Sequence, residues 1–327
     1  MPDYPRTLRR IALVFAAATA AALATAPTPA PAAAPFHETQ SPGFYRMKLG
    51  DFEVTALLDG AAAFDPKYLK AEIKDLQPLV NRQLMDTDHI AGAVSGFLVN
   101  TGEKLILVDS GTGGFWGGPA LGKLVANLKK SGYRPEQVDI VLLTHLHADH
   151  VGGITNAKGA RVFPNAVVRM AKADSDFWLS EEVAKQAPKE AQEFFTIARN
   201  AAKPYVAAKK WSPFATAGEI VPGIKPTPIA GHTPGHTGYE FSSKGQTLLV
   251  WGDVVHAGPV QMERPDIGVV FDADGPTAIK SRQELFATLA EKRTLVAGAH
   301  MLFPSLGRLR KEGAGYVWVP VPYTDKP

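Results

Sequence analysis

Short apolar runs alternate with longer amphipathic stretches along most of the chain, and the runs tend to end in glycine or polar residues. From Phe44 to Gly60, "FYRMKLGDFEVTALLDG" reads as a β-hairpin turning at Gly50-Asp51. Two short buried strands follow, "SGFLVNTG" and "KLILVDSG", with Gly102 between them. Between Gly118 and Gly132, Leu121, Leu124, Val125 and Leu128 stand at helical spacing with a glycine past the end, which predicts a helix. Gln137 to Thr144 is a strand, "NAVVRMAK" another, and "KEAQEFFTIARNA" a helix.

The second half repeats this logic. "KPTPIAGHTPGHTGYEFSS" and "QTLLVWGDVVHA" are strands whose ends carry polar groups. Thr277 to Arg293 is an amphipathic helix with Ile279, Leu285, Phe286 and Leu289 on one side, and "RTLVAGAHMLFP" is a strand running into a loop. Strands alternating with helices predict an α/β layered fold. Its polar residues collect at strand ends, where such folds build their sites. Residues 61–93 read as an irregular insertion with a short helix that could wall a pocket.

The amino terminus departs from this pattern. Arg6, Arg9 and Arg10 precede a 14-residue alanine-rich apolar run, Ile11 to Ala24. The run is too short to span a bilayer as a helix and suits the core of an export signal. Ala22-Leu23-Ala24 and Ala30-Pro31-Ala32 both fit the small-x-small cleavage rule, and a cut after Ala32 leaves the less disordered start. A membrane anchor or a disordered tail is the alternative. The reading is therefore a cleaved signal over 1–32, a flexible linker over 33–41 and one domain over 42–327, in a protein that is secreted or periplasmic. Loss of residues 1–32 lowers the net charge from +3 to +1, which offers no electrostatic case for nucleic acid or for a membrane after processing. Cysteine is absent, which excludes disulfides and leaves nitrogen and oxygen as the only strong metal donors.

That limit gives the histidines their weight. Of nine, seven fall in four segments at the ends of apolar runs: "THLHADH", "GHTPGHT", "GDVVH" and "GAHMLFP". Burying so many imidazoles without partners would be costly. His37 and His89, outside these segments, read as satisfied or exposed residues. Just past a strand, His145 and His147 project to one side, because side chains repeat every two residues. The turn that follows carries Asp149 and His150 to a second position about 3.5–4 Å away, the usual separation in paired metal sites. Gly152-Gly153 permits a tight entry into the next element.

His-x-His-x-Asp-His, then Gly-His-Thr-Pro-Gly-His, then a Gly-Asp strand end and a late Ala-His, in that order from Thr144 to His300, resembles the metallo-β-lactamase-fold hydrolase superfamily. The resemblance implies a four-layer αβ/βα sandwich with a dinuclear site. It implies that His145, His147 and His232 hold one ion, that Asp149, His150 and His300 hold the second, and that Asp253 bridges them. It makes His236 and Asp109 supporting residues behind the ligands; a turn-capping role is the alternative for Asp109. His256 either assists the leaving group or orients Asp253. Zinc is the family default, two ions per chain, although manganese, cobalt and iron accept the same donors.

"GFYRMKLGDFEVTALLDG", "YRPEQVDIVLLTHLHADHVGG", "FPNAVV", "DFWLS", "VPGIKP", "GHTPGHT" and "AHMLFPSLGRLRKEGAGYVWVPVPY", spread from about Pro42 to Tyr323, resemble methyl parathion hydrolase and its lactonase-like relatives. That branch implies a homodimer with an aromatic pocket, for which Phe115, Trp116, Trp178 and Phe195 are candidates; ordinary core packing is the alternative for each. The loop "SGTGGFWGGPALG" is a residue longer and richer in glycine than the branch pattern. A hydroxide shared by two divalent ions would attack an electrophilic carbonyl or phosphorus, so Asp149 and Asp253 count among the catalytic residues. The expected small-molecule substrate is a lactone or aryl ester, with phosphotriesters as related substrates. The alternatives are a methyl-parathion-type hydrolase, a cysteine-free metallo-β-lactamase, and a zinc-binding protein without turnover.

Overall fold

The computed structural model describes residues 34, 36, 40–215 and 218–327. The expected signal over 1–32, most of the linker and His37 lie outside them. Residues Pro42–Pro327 form one unit by their contacts.

Two six-stranded mixed sheets carry the fold. The first runs in sequence order through β1 (Phe44–Leu49), β2 (Phe52–Phe64), β3 (Ile90–Asn100), β4 (Leu105–Val108), β5 (Ile140–Leu142) and β6 (Val167–Arg169). Its first four strands are antiparallel, and β4, β5 and β6 are parallel. The second contains β7 (Ile224–Pro228), β8 (Thr237–Ser243), β9 (Gln246–Val250), β10 (Leu295–Ala297), β11 (Leu306–Glu312) and β12 (Gly315–Pro320), parallel only between β9 and β10. The helices are α1 (Ile73–Arg82), α2 (Leu124–Lys130), α3 (Ala148–Val151), α4 (Lys172–Leu179), α5 (Glu181–Gln186), α6 (Gln192–Ala207), α7 (Gly258–Gln261) and α8 (Gly275–Lys292).

Alternation along each strand sorts side chains between layers. Val54, Ala56, Phe97, Val99, Ile106 and Val108 of the first sheet share one core with Leu248, Val250, Leu295 and Ala297 of the second. Their strand neighbours Leu98, Leu105 and Leu107 face the other way, onto α2 and α6 through Leu124, Leu128 and Phe195. In the second sheet Leu249 and Val296 turn outward onto Phe286 and Leu289 of α8. Helix, sheet, sheet, helix is the four-layer αβ/βα sandwich.

Several elements differ from the sequence expectation. The expected irregular insertion with a short helix is present over residues 65–89 with α1, but the two ends of the 61–93 segment extend a hairpin, since β2 pairs with β3 out to Phe64 and Ile90. The alanine run in β2 hides this, because it gives no contrast between faces. The helix expected from Gly118 begins at Leu124, where Asp59 accepts the N–H groups of Gly122 and Leu124. Asp59 sits at the register shift between Leu58 and Gly60, and a bulge of that kind re-aims a side chain. The helices α4 and α5 and the β11–β12 hairpin had no counterpart in the sequence reading. Among the described residues no helix is long and apolar enough to cross a membrane.

Candidate metal centre

The site lies where strands of both sheets end. After β5, Leu143 and Leu146 are buried in the outer core and anchor the loop, which leaves His145 and His147 to face the centre. α3 then brings round Asp149 and His150. Its tight exit needs glycine: a Cβ at Gly153 would lie 2.0 Å from the Ser110 carbonyl oxygen. From the second half, the β7–β8 loop supplies His232, the end of β9 supplies Asp253, and the end of β10 supplies His300.

The donor atoms of His145, His147, His232 and Asp253 all lie within 4.8 Å of one another, and so do those of Asp149, His150 and His300. His147 Nδ1 is 3.0 Å from both His145 Nε2 and His232 Nε2. Asp253 reaches both groups, with Oδ2 3.4 Å from His232 Nε2 and Oδ1 3.1 Å from His150 Nε2. Its Oδ2 is also 3.1 Å from the Nε2 atoms of His300 and His256. His256, Asp253 and His300 form a third possible group. His89 is exposed.

The outward-facing ring nitrogens decide which lone pairs point inward. His232 Nδ1–H donates to Asp272 at 2.9 Å, His150 Nδ1–H to Asp109 at 2.9 Å, and His300 Nδ1–H to the Ala93 carbonyl at 3.1 Å. In the neutral rings Nε2 is then a bare acceptor facing carboxylate oxygens or other rings. The Nε2 of His150 and Oδ1 of Asp253 are buried and make no hydrogen bond. Inward lone pairs from histidine and aspartate, oriented from behind, are what a divalent cation needs. The residues therefore fit divalent metal.

Electrostatics agree. Burial and neighbouring imidazoles hold His145 and His147 well below their ordinary value. At His150 burial opposes the charged form, yet Asp253, Asp149 and Asp109 overcome it and raise the ring well above the usual range. His232, also buried, is lifted to about 9 by Asp253 and Asp272. Against the same desolvation, His150 and His300 hold Asp253 far below the ordinary carboxylate range. The pocket attracts positive charge, whether carried by protons or by a metal.

Asp109 is held in the left-handed region, at φ 57°, a strained conformation of a kind that collects at functional sites. It accepts from Thr144 N and Thr144 Oγ1, both at 2.8 Å, besides His150. His236 does not enter the donor groups. Its Nδ1–H donates to the Ile229 carbonyl at 2.9 Å, and its Nε2 accepts the Asp253 N–H at 2.9 Å. This arrangement needs a neutral ring, and burial pushes its pKa down to about 3. A depressed folded value means the contribution is present above the unfolded value near 6.5 and is lost as pH falls towards 3. The urea midpoint should accordingly drop between pH 7 and pH 4.5, and drop less in His236→Gln. Equal losses in the two proteins would remove His236 from the acid response.

Sequence reading missed Asp272, Asp174 and Gln261. Asp272 backs His232, Asp174 accepts from Leu146 and Gly235, and Gln261 Oε1 accepts from His256 N at 2.8 Å. None has a local signature beyond a polar residue near a turn.

Beside the donors lies a cleft of about 270 Å³. Trp178 and Phe195 line it with Phe177, Val183 and Phe271, and His147 and His232 form its floor. Trp178 meets the His147 ring edge-on at 5.1 Å. Phe115 and Trp116 are outside this lining and 40% exposed, although Trp116 approaches Phe194 at 6.3 Å. On the other flank, Phe64 and Phe271 lie 6.0 and 6.2 Å from the His256 ring, and Tyr68 packs on Phe271 at 4.8 Å. The 61–93 region thus reaches the site through its hairpin end.

Known proteins share this architecture. A family model described as the metallo-beta-lactamase superfamily matches residues 89–300. An N-acyl homoserine lactonase from a Bacillus species is 27% identical over 224 residues, 62% of this chain and 79% of that protein. The crystal structure of AbOPH, a hydrolase in the beta lactamase superfamily, is 36% identical with a TM-score of 0.84, covering 88% of this chain and 100% of the other. AidC, a dizinc quorum-quenching lactonase solved with a product, is 27% identical with a TM-score of 0.80, covering 86% and 99%. With its ordered histidine and aspartate segments at the ends of two stacked sheets, this chain belongs to the metallo-β-lactamase superfamily and is a metal-dependent hydrolase.

Proposed function

We propose that the chain is an exported, homodimeric dizinc hydrolase that opens lactones or cleaves aryl esters, with methyl phosphotriesters as slower substrates. The observation that carries this reading is the carboxylate of Asp253, which is shared by two adjoining donor groups next to an apolar aromatic cleft. His145, His147 and His232 would hold one ion, Asp149, His150 and His300 the other, and Asp253 both. Zinc ions held there would supply Lewis acidity and an attacking water that ionises near neutral pH.

The rest is work for the protein's own side chains. Asp272 and Asp109 fix the tautomer and orientation of His232 and His150. Trp178, Phe195 and Phe271 receive an apolar acyl or aryl group and exclude bulk water, which strengthens every charge interaction in the site. His256 presents Nε2 to Asp253, and its buried Nδ1 makes no hydrogen bond. That contact favours the Asp253-orienting role over assistance to the leaving group. The AidC and Bacillus relatives, both described as lactonases, support the choice of lactone over phosphotriester.

The test is kcat/KM of one zinc-loaded preparation on an aryl lactone and a methyl phosphotriester, side by side. A lactone preference of at least about a hundredfold is expected, equal to about 2.7 kcal/mol of differential transition-state binding. The reverse ratio would make phosphotriester hydrolysis the main activity. Turnover of neither, with zinc bound, would point to β-lactams or to a protein that only binds metal.

A further inference from the structure

Asp174 is fully buried. One carboxylate oxygen accepts the Leu146 N–H at 3.1 Å, between His145 and His147. The other accepts the Gly235 N–H at 2.7 Å, in the loop that carries His232. These two loops come from different sheets. Asp174 stands in the first turn of α4, and one turn later the same helix presents Trp178 to the cleft. The fit is close: a Cβ at Gly235 would lie 2.5 Å from the Asp174 nitrogen.

We propose that Asp174 is a positioning residue that clasps the His145–His147 loop to the His232 loop and so sets the spacing of the three-histidine metal group. The inference rests on the two-cation reading above. A carboxylate suits the task because it offers two acceptors and no donor. Asparagine, of nearly the same size, would set its amide N–H₂ against one backbone N–H. The second donor group, Asp149, His150 and His300, has no hydrogen bond from Asp174, so the effect should be selective.

Zinc binding is measured by competition with a chromophoric chelator, for wild type and Asp174→Asn, each also in a His300→Ala background that leaves the three-histidine group. Zinc affinity of that group should fall tenfold or more in Asp174→Asn, with the other site retained and the thermal midpoint little changed. Unchanged affinity, or equal losses at both sites, would overturn the proposal. If Asp174→Asn does not fold, hydrogen exchange of wild-type protein stripped of metal decides. Slow exchange at the Leu146 and Gly235 amides supports a clasp formed before metal arrives, and exchange at free-peptide rates refutes it. Fewer than two zinc ions in the wild type would defeat the two-cation reading instead, and the same exchange measurement would still judge the clasp.

Discussion

Replacing Asp253 by alanine should lower kcat/KM for lactone hydrolysis by at least about a thousandfold, or about 4 kcal/mol of transition-state stabilisation. In the proposed dizinc protein it should also reduce the zinc retained after dialysis from two ions per chain to one or none. The Asp253 side chain lies within 3.6 Å of ring nitrogens from five histidines, His145, His150, His232, His256 and His300. Its loss leaves those rings facing one another without the one carboxylate they share. Loss of a single ligand to one ion would spare the other ion, whereas loss of a shared carboxylate disturbs both. Elemental analysis together with initial rates separates these cases. Full activity with two ions retained would exclude any bridging part for Asp253.

Trp251→Ala should destabilise the fold by about 3–5 kcal/mol, in the range for deleting a fully buried large aromatic. That is a large share of the roughly 5–15 kcal/mol that holds a domain together. Trp251 is fully buried, stacks on Phe286 of α8 at 5.7 Å and meets Trp318 of β12 at 5.9 Å. It therefore ties β9 to the outer helix two residues before Asp253. Its Nε1 has no hydrogen-bond partner, so Trp251→Phe should cost much less than the alanine variant. The measurement is the urea midpoint at constant slope. A shift equivalent to under about 1 kcal/mol in Trp251→Ala would mean that the stack contributes little.

The sequence made the donors legible because their chemistry is local. Three histidines and an aspartate within seven residues, at the end of an apolar run, cannot be mistaken for a core. The layered fold was legible because strands and helices alternate. What escaped was either uniform or distant. The alanines at 61–63 continue a strand, yet they show no contrast between faces. Asp59, Asp174 and Asp272 act on backbone and rings far away in the chain, and each looks in isolation like a turn aspartate. The cleft wall was read in part: Trp178 and Phe195 line it, while Phe271 depends on how the loop after β10's neighbour β9 returns to the site. Phe115 and Trp116 stand on a glycine-rich loop whose position no local pattern encodes.

Donors from both sheets meet in one cage, with four from Thr144–His150 and three from residues 232, 253 and 300. This has a consequence for biogenesis. A nascent chain that has emerged only through the first sheet exposes a cluster of metal-seeking side chains with no closing partners. The cage is complete only when the strand end that carries His300 has joined it. A polypeptide stalled or clipped before that point would be a weak and unselective metal scavenger, so cation loading belongs to a chain in which both sheets have folded.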